Sequence, residues 1–119
     1  MAIKILETTS NLMTLQISGT TNELESLTLE KNVSDLVKRF GTARLLIHLN
    51  NFQGWEKGGN WENIHFLVTT GKKITKMAFV GDPKWRDDIF LFTAKGLRST
   101  EIEFYEPASY AAARSWLDE

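Results

Sequence analysis

The sequence predicts a single α/β domain in which a five-stranded, mostly parallel mixed sheet is accompanied by four helices. Short apolar runs typical of strands alternate with longer segments that have the spacing of amphipathic helices. Capping and turn residues separate these segments, most clearly between Ile74 and Leu97. With 119 residues, the chain is long enough to bury a core without disulfides.

The first third of the chain is expected to form a β-hairpin and a helix. The strand candidates are Ile3–Leu6 and Leu12–Ile17, and the short polar link between them favours antiparallel pairing. A helix is then expected from Asn22, which has capping-box spacing to Glu25, to a stop at Gly41.

The middle of the chain is expected to hold a buried strand, an irregular loop and a second helix. The apolar residues of Arg44–Leu49 are typical of a central parallel strand. We interpret the glycine-rich stretch Asn50–Gly59 as the main loop. Trp61–Thr70 is expected to be a helix that ends at Gly71.

A strand, a tight turn and a third helix follow. Met77–Val80 is a short apolar run, which suggests a strand covered on both faces. Gly81 allows a sharp bend, Asp82 can cap the next helix, and Pro83 suits its first turn.

The third helix has more apolar surface than it needs to cover one side of a sheet. Trp85, Ile89 and Phe92 share one face, because they are four and three residues apart. Phe90 and Leu91 point elsewhere. Two interpretations stay open: the helix is wedged between the sheet and its neighbours, or its second apolar face contacts a partner, a lipid or a ligand.

The last part of the chain is expected to form an edge strand and a fourth helix. Glu101–Tyr105 alternates acidic with apolar or aromatic residues, which is typical of a strand with one solvated face. Glu106 is a candidate cap, Pro107 suits a first helical turn, and the helix is expected to run to about Leu117.

Composition argues against several classes of function. The net charge of −1 gives no overall attraction to nucleic acid, and the absence of cysteine removes disulfides and thiolate chemistry. No apolar run approaches the roughly 20 residues that span a membrane. We therefore expect a cytoplasmic protein that does not bind nucleic acid.

Charge is nevertheless unevenly distributed along the chain. Residues 72–98 carry seven basic and three acidic side chains, and residues 99–119 carry one basic and five acidic side chains. The basic segment contains the apolar third helix, and basic plus aromatic side chains suit an anionic membrane surface. The alternative is that these cations belong to a solvated face and pair with the acidic C-terminal segment.

The sequence contains no arrangement typical of catalysis, metal binding or cofactor binding. His48 and His65 lack ligand spacing, and the glycines fit neither the P-loop nor the dinucleotide pattern. Capping and solvation explain Asp82, Asp87 and Asp88. We expect a non-enzymatic protein without catalytic residues, a metal site or a cofactor.

Large aromatic residues are predicted to gather at the carboxyl edge of the sheet, where open α/β folds bind ligands. Phe52, Trp55 and Trp61 stand among glycines after the third strand, and Trp85 opens the next helix at the same edge. These aromatic residues could cover an apolar ligand-binding cleft, or they could simply pack over the core, and both interpretations stay open.

Two runs of sequence resemble a known family. KMAFVGDPKW and IEFYEPASYAAARSWL, together with the order of strands and helices, are similar to the SpoIIAA-like family, small bacterial proteins related in fold to STAS domains. STAS phosphoswitches carry a serine after the third strand, but Asn50–Val68 contains neither serine nor threonine. The resemblance therefore implies the fold and binding of apolar ligands, as in similar lipid-carrier domains, without phosphorylation at that site.

The leading functional hypothesis is non-enzymatic binding of an apolar small molecule or lipid. The predicted ligand-binding residues are Phe52, Trp55, Trp61, Trp85, Ile89 and Phe92. The predicted surface for peripheral contact with the inner face of the membrane, or with a partner, consists of Lys84, Arg86, Phe90 and Leu91. The alternative is a STAS-like protein-interaction module or homodimer that uses the same helix.

Overall fold

The computed structural model describes residues 3–21, 23–55, 73–92 and 100–119. Within them, five strands form one sheet in the order β1-β2-β3-β4-β5. The pair β1–β2 is antiparallel and the other three pairs are parallel, which confirms the predicted mixed sheet. The strands are β1 (Ile3–Thr9), β2 (Leu12–Thr21), β3 (Ala43–Trp55), β4 (Ile74–Val80) and β5 (Glu101–Tyr105).

Three α-helices lie in the described part of the chain. They are α1 (Glu23–Phe40), α2 (Arg86–Phe92) and α3 (Tyr110–Leu117), and short 3-10 turns, Pro83–Trp85 and Pro107–Ser109, precede the last two. The helix predicted at Trp61–Thr70 falls outside the described residues. Glu106 stands before the second 3-10 turn as expected, but its side chain makes no capping hydrogen bond.

The third strand is longer than predicted. The loop prediction for Asn50–Gly59 is wrong for its first part, because β3 continues to Trp55. Pairing with the end of β2 holds this stretch extended, with Phe52 beside Gly19 and Trp55 beside Thr21. The register shifts on either side of Gly19, so the pairing here is irregular.

The two faces of the sheet bury separate apolar clusters. On one face, Val33 and Leu36 of α1 and Ile89 of α2 pack with alternate strand residues such as Leu45 and Phe79. On the other face, Ala113 and Leu117 of α3 pack with Leu46, Ala78 and Val80. Because β3 and β4 are covered on both faces, their central residues are apolar without alternation, as the sequence predicted.

Two cations from the sheet hold the C-terminal end of α3. The Arg44 guanidinium donates to the carbonyl of Leu117 at 2.7 Å and to Oδ1 of Asn11 at 2.9 Å. Lys76 Nζ donates to the carbonyl of Trp116 at 2.8 Å and lies 5.0 Å from the centre of its ring. These contacts satisfy carbonyls that a helix leaves free in its last turn, and the cations suit the negative end of the helix dipole.

Candidate functional site

The candidate site is built on the turn that joins β4 to α2. Oδ1 of Asp82 accepts a hydrogen bond from the backbone N–H of Lys84 at 2.9 Å, and Pro83 occupies the first helical position. The predicted roles of Asp82 and Pro83 are therefore confirmed. This cap fixes the direction in which α2 leaves the sheet.

Gly81 brings the turn unusually close to β3. A Cβ atom at this position would lie 2.7 Å from Cβ of Leu49, which is shorter than a normal contact. The backbone N–H of Gly81 also donates to the carbonyl of Tyr105 at 3.0 Å. The turn is thus held from both sides, against β3 and against β5, so that α2 starts from a fixed position.

Two aromatic residues of the predicted site contact each other. The rings of Phe52 and Trp85 meet edge to face, with centroids 4.8 Å apart and planes inclined by 65°. Phe52 is only 5 % exposed, whereas Trp85 is partly buried and packs against the core cluster that contains Ile89. This pair therefore connects the far end of β3 to the start of α2.

Two cationic side chains beside this turn lie over aromatic rings. Lys84 Nζ lies 5.7 Å from the centre of the Trp85 ring, and Cζ of Arg86 lies 5.3 Å from the centre of the Phe90 ring. Both cationic residues are exposed, and both aromatic residues are partly buried. We call these four residues the cation–aromatic surface. Its Arg86–Phe90 pair has i,i+4 spacing, which is visible in the sequence itself.

The remaining predicted site residues are placed only in part. Trp55 ends β3, and Leu91 and Phe92 lie in the last turn of α2, but their side chains are outside the described part of the structure. Trp61 falls outside the described residues altogether. The structure thus brings Phe52 into contact with Trp85, and it packs Trp85 and Phe90 against the core cluster that contains Ile89. Lys84 and Arg86 are exposed beside these two rings.

His48 lies on the other face of the sheet, against α3. Its ring centroid is 5.2 Å from that of Tyr110, with the planes inclined by 30°. Burial lowers the pKa of His48 below its ordinary value of 6.5. The residue is packed beside Tyr110.

Neither metal-binding clusters nor membrane-spanning helices are found in residues 3–21, 23–55, 73–92 and 100–119. No group of three or more histidine, aspartate or glutamate residues there could hold a metal ion. No described helix has the length and apolar character needed to cross a bilayer.

Comparisons with known proteins identify a family and a fold. The family model described as SpoIIAA-like matches residues 12–118. A search of curated proteins finds no match. A similar solved structure is the crystal structure of an uncharacterized protein from the DUF3478 family with a SpoIIAA-like fold, from Shewanella loihica. That protein is 16% identical, and the alignment covers 98% of this chain and 92% of the other with a TM-score of 0.66.

Proposed function

This chain belongs to the SpoIIAA-like family, and from that premise we propose that it is a non-enzymatic binding domain that meets an anionic lipid surface. The contact is made by the cation–aromatic surface, Lys84, Trp85, Arg86 and Phe90. The observation that carries the proposal is the placement of two exposed cations over two partly buried aromatic rings.

Each component of this surface suits the boundary between water and lipid. Aromatic rings that are partly exposed favour the headgroup region, and lysine and arginine are attracted to anionic headgroups. A cation that lies over a ring can contact a phosphate while the ring contacts acyl chains. The capped turn at Asp82 holds both pairs on one rigid unit, so the surface is formed before the lipid arrives.

A lipid at the surface fits the geometry better than a small molecule enclosed beneath α2. Phe52 is 5 % exposed and Ile89 is 3 % exposed, so the protein already covers both side chains. A ligand that contacts Phe52 or Ile89 would therefore have to displace protein atoms, such as the Trp85 ring that packs on Phe52. These buried residues support the position of α2, and the outer residues contact the lipid.

Co-sedimentation with vesicles tests this proposal. We expect binding to vesicles of phosphatidylcholine with phosphatidylglycerol, weaker binding at high salt, and no binding to phosphatidylcholine alone. Each cation near an anionic surface contributes about 1 kcal/mol, so the double variant K84Q/R86Q should bind roughly 30-fold more weakly. The double variant K31Q/K38Q removes the same charge from exposed positions of α1 and should bind normally. Equal losses in both double variants would refute a specific surface.

A protein-interaction module remains the second candidate function. Asp87 and Asp88 are exposed on the same short helix as Arg86. A mixture of acidic and basic side chains suits a protein surface better than a uniformly anionic membrane. Failure of the wild-type protein to bind any anionic vesicle would reject the lipid surface and favour this candidate.

A further inference from the structure

The strand β1 forms one edge of the sheet. In the described part of the chain, β1 pairs with β2 only. Six of its seven residues are exposed, from Lys4 to Thr9, and they include large apolar side chains: Ile5 is 39 % exposed and Leu6 is 46 % exposed. An edge strand with exposed apolar residues offers backbone hydrogen-bonding groups to another strand.

A bulge in β1 changes which side chains share a face. Ile5 pairs with Leu15 and Glu7 pairs with Thr14, so Leu6 is an extra residue on β1. Lys4 pairs with Gln16, two positions from Thr14 on β2. Positions two apart on a strand face the same side, so the bulge places Lys4 and Glu7 on one face. In a regular strand these two residues would face opposite sides.

We propose that β1 pairs with β1 of a second copy of this chain, antiparallel and about a two-fold axis that passes between Ile5 and Leu6. In this register Lys4 of each copy lies opposite Glu7 of the other, and Ile5 of each copy lies opposite Leu6. Opposite charges and apolar residues that face each other across two strands both stabilise the pairing. The sheets of the two copies then form one continuous sheet.

The bulge is the reason why this register is self-complementary. A bulge usually protects an edge strand, because it disturbs the regular row of backbone groups. Here both copies carry the same extra residue at the two-fold axis. Lys4 and Glu7, on either side of it, therefore keep matching positions in the two strands. Without the extra residue, Lys4 and Glu7 would lie on opposite faces and could not form the two symmetric charge pairs.

The opposite edge of the sheet, β5, is not self-complementary. Glu101 and Glu103 of β5 are exposed and lie two residues apart, so both face the same side. Two copies of β5 would bring these acidic side chains together, which opposes pairing. Association through β1 is independent of the proposed lipid surface, since that surface lies on Lys84–Phe90.

Sedimentation velocity over a concentration series tests the proposal with charge reversals. We expect the wild-type protein to form a dimer, and both K4E and E7K to raise its dissociation constant about tenfold or more. The combined variant K4E/E7K restores opposite charges across the axis and should dimerise like wild type. An equimolar mixture of K4E and E7K should form a heterodimer for the same reason. All substituted positions are exposed, so circular dichroism should show unchanged folding.

The matched control is Lys31→Glu, which makes the same charge change at an exposed position of α1 and should leave the dimer unchanged. A wild-type protein that is monomeric at every concentration would overturn the proposal. So would a dimer that neither K4E nor E7K weakens, because its interface would lie elsewhere. Loss of the dimer in K4E without recovery in the combined variant would reject the proposed register.

Discussion

Replacing Gly81 by alanine tests how rigidly the turn before α2 is held. The added Cβ would lie 2.7 Å from Cβ of Leu49, with two further side-chain atoms of Leu49 at 3.3 Å. Ordinary contact begins at 3.4 Å, so either the turn or β3 must move by about 0.7 Å. Neither moves freely, because Leu49 lies in β3 beside β2 and the N–H of Gly81 is bound to the carbonyl of Tyr105.

We expect Gly81→Ala to lower the free energy of unfolding by about 2 kcal/mol, within the range of 1–3 kcal/mol that is typical of overpacking. The melting temperature should fall by roughly 6–12 °C for a domain of this size. Urea unfolding, followed by far-ultraviolet circular dichroism, measures the change directly.

Gly41→Ala is the matched control, because it would destabilise the protein through backbone strain and not through a steric clash. Gly41 has φ of 84° and no atom within 4 Å of an added Cβ, so its cost is backbone strain alone, about 1 kcal/mol. A loss below about 0.5 kcal/mol for Gly81→Ala would refute the steric argument, because β3 and the turn would then separate at little cost.

Three further predictions concern packing, anchoring and pH. A double-mutant cycle of Phe52→Ala and Trp85→Ala should give a coupling energy of about 0.5–1.5 kcal/mol in urea unfolding, and no coupling would show that their contact is incidental. Arg44→Ala should cost about 2–3 kcal/mol because it removes hydrogen bonds to a charged donor. Asp118→Ala should cost under about 1 kcal/mol, since the Asp118 side chain is 63% exposed. Equal losses of stability in Arg44→Ala and Asp118→Ala would contradict this prediction. The folded-state pKa of His48 is lowered, so the unfolded chain takes up this proton first as pH falls below about 6.5. The wild-type protein should then lose stability relative to His48→Gln, and parallel stability curves for the two proteins would contradict the prediction.

Local sequence signals were sufficient to predict the central strands and the capped turn before α2. The run Leu45–Ile47 is apolar without alternation because helices cover both sides of β3, so periodicity and burial carry the same information. The roles of Asp82 and Pro83 depend on neighbouring backbone atoms only, and the sequence shows them directly.

The far end of β3 could not be predicted in the same way. Asn50–Trp55 contains asparagine, glutamine and glycine, which are typical of turns, and Asn51 has φ of 55°. The stretch nevertheless belongs to β3, because it pairs with the end of β2, which lies more than 30 residues earlier in the chain. Tertiary pairing overrides local preference here. The sequence placed Phe52 and Trp85 at the same edge of the sheet, but it did not predict their edge-to-face geometry.

Arg44 also bears on the order in which this chain folds. Its guanidinium joins Asn11, 33 residues earlier, to the carbonyl of Leu117, 73 residues later. Closing such long loops costs conformational entropy before any contact compensates for it, whereas the β1–β2 hairpin closes over a two-residue turn. We expect the hairpin to appear early and the docking of α3 on Arg44 to be among the last steps on the way to the native state.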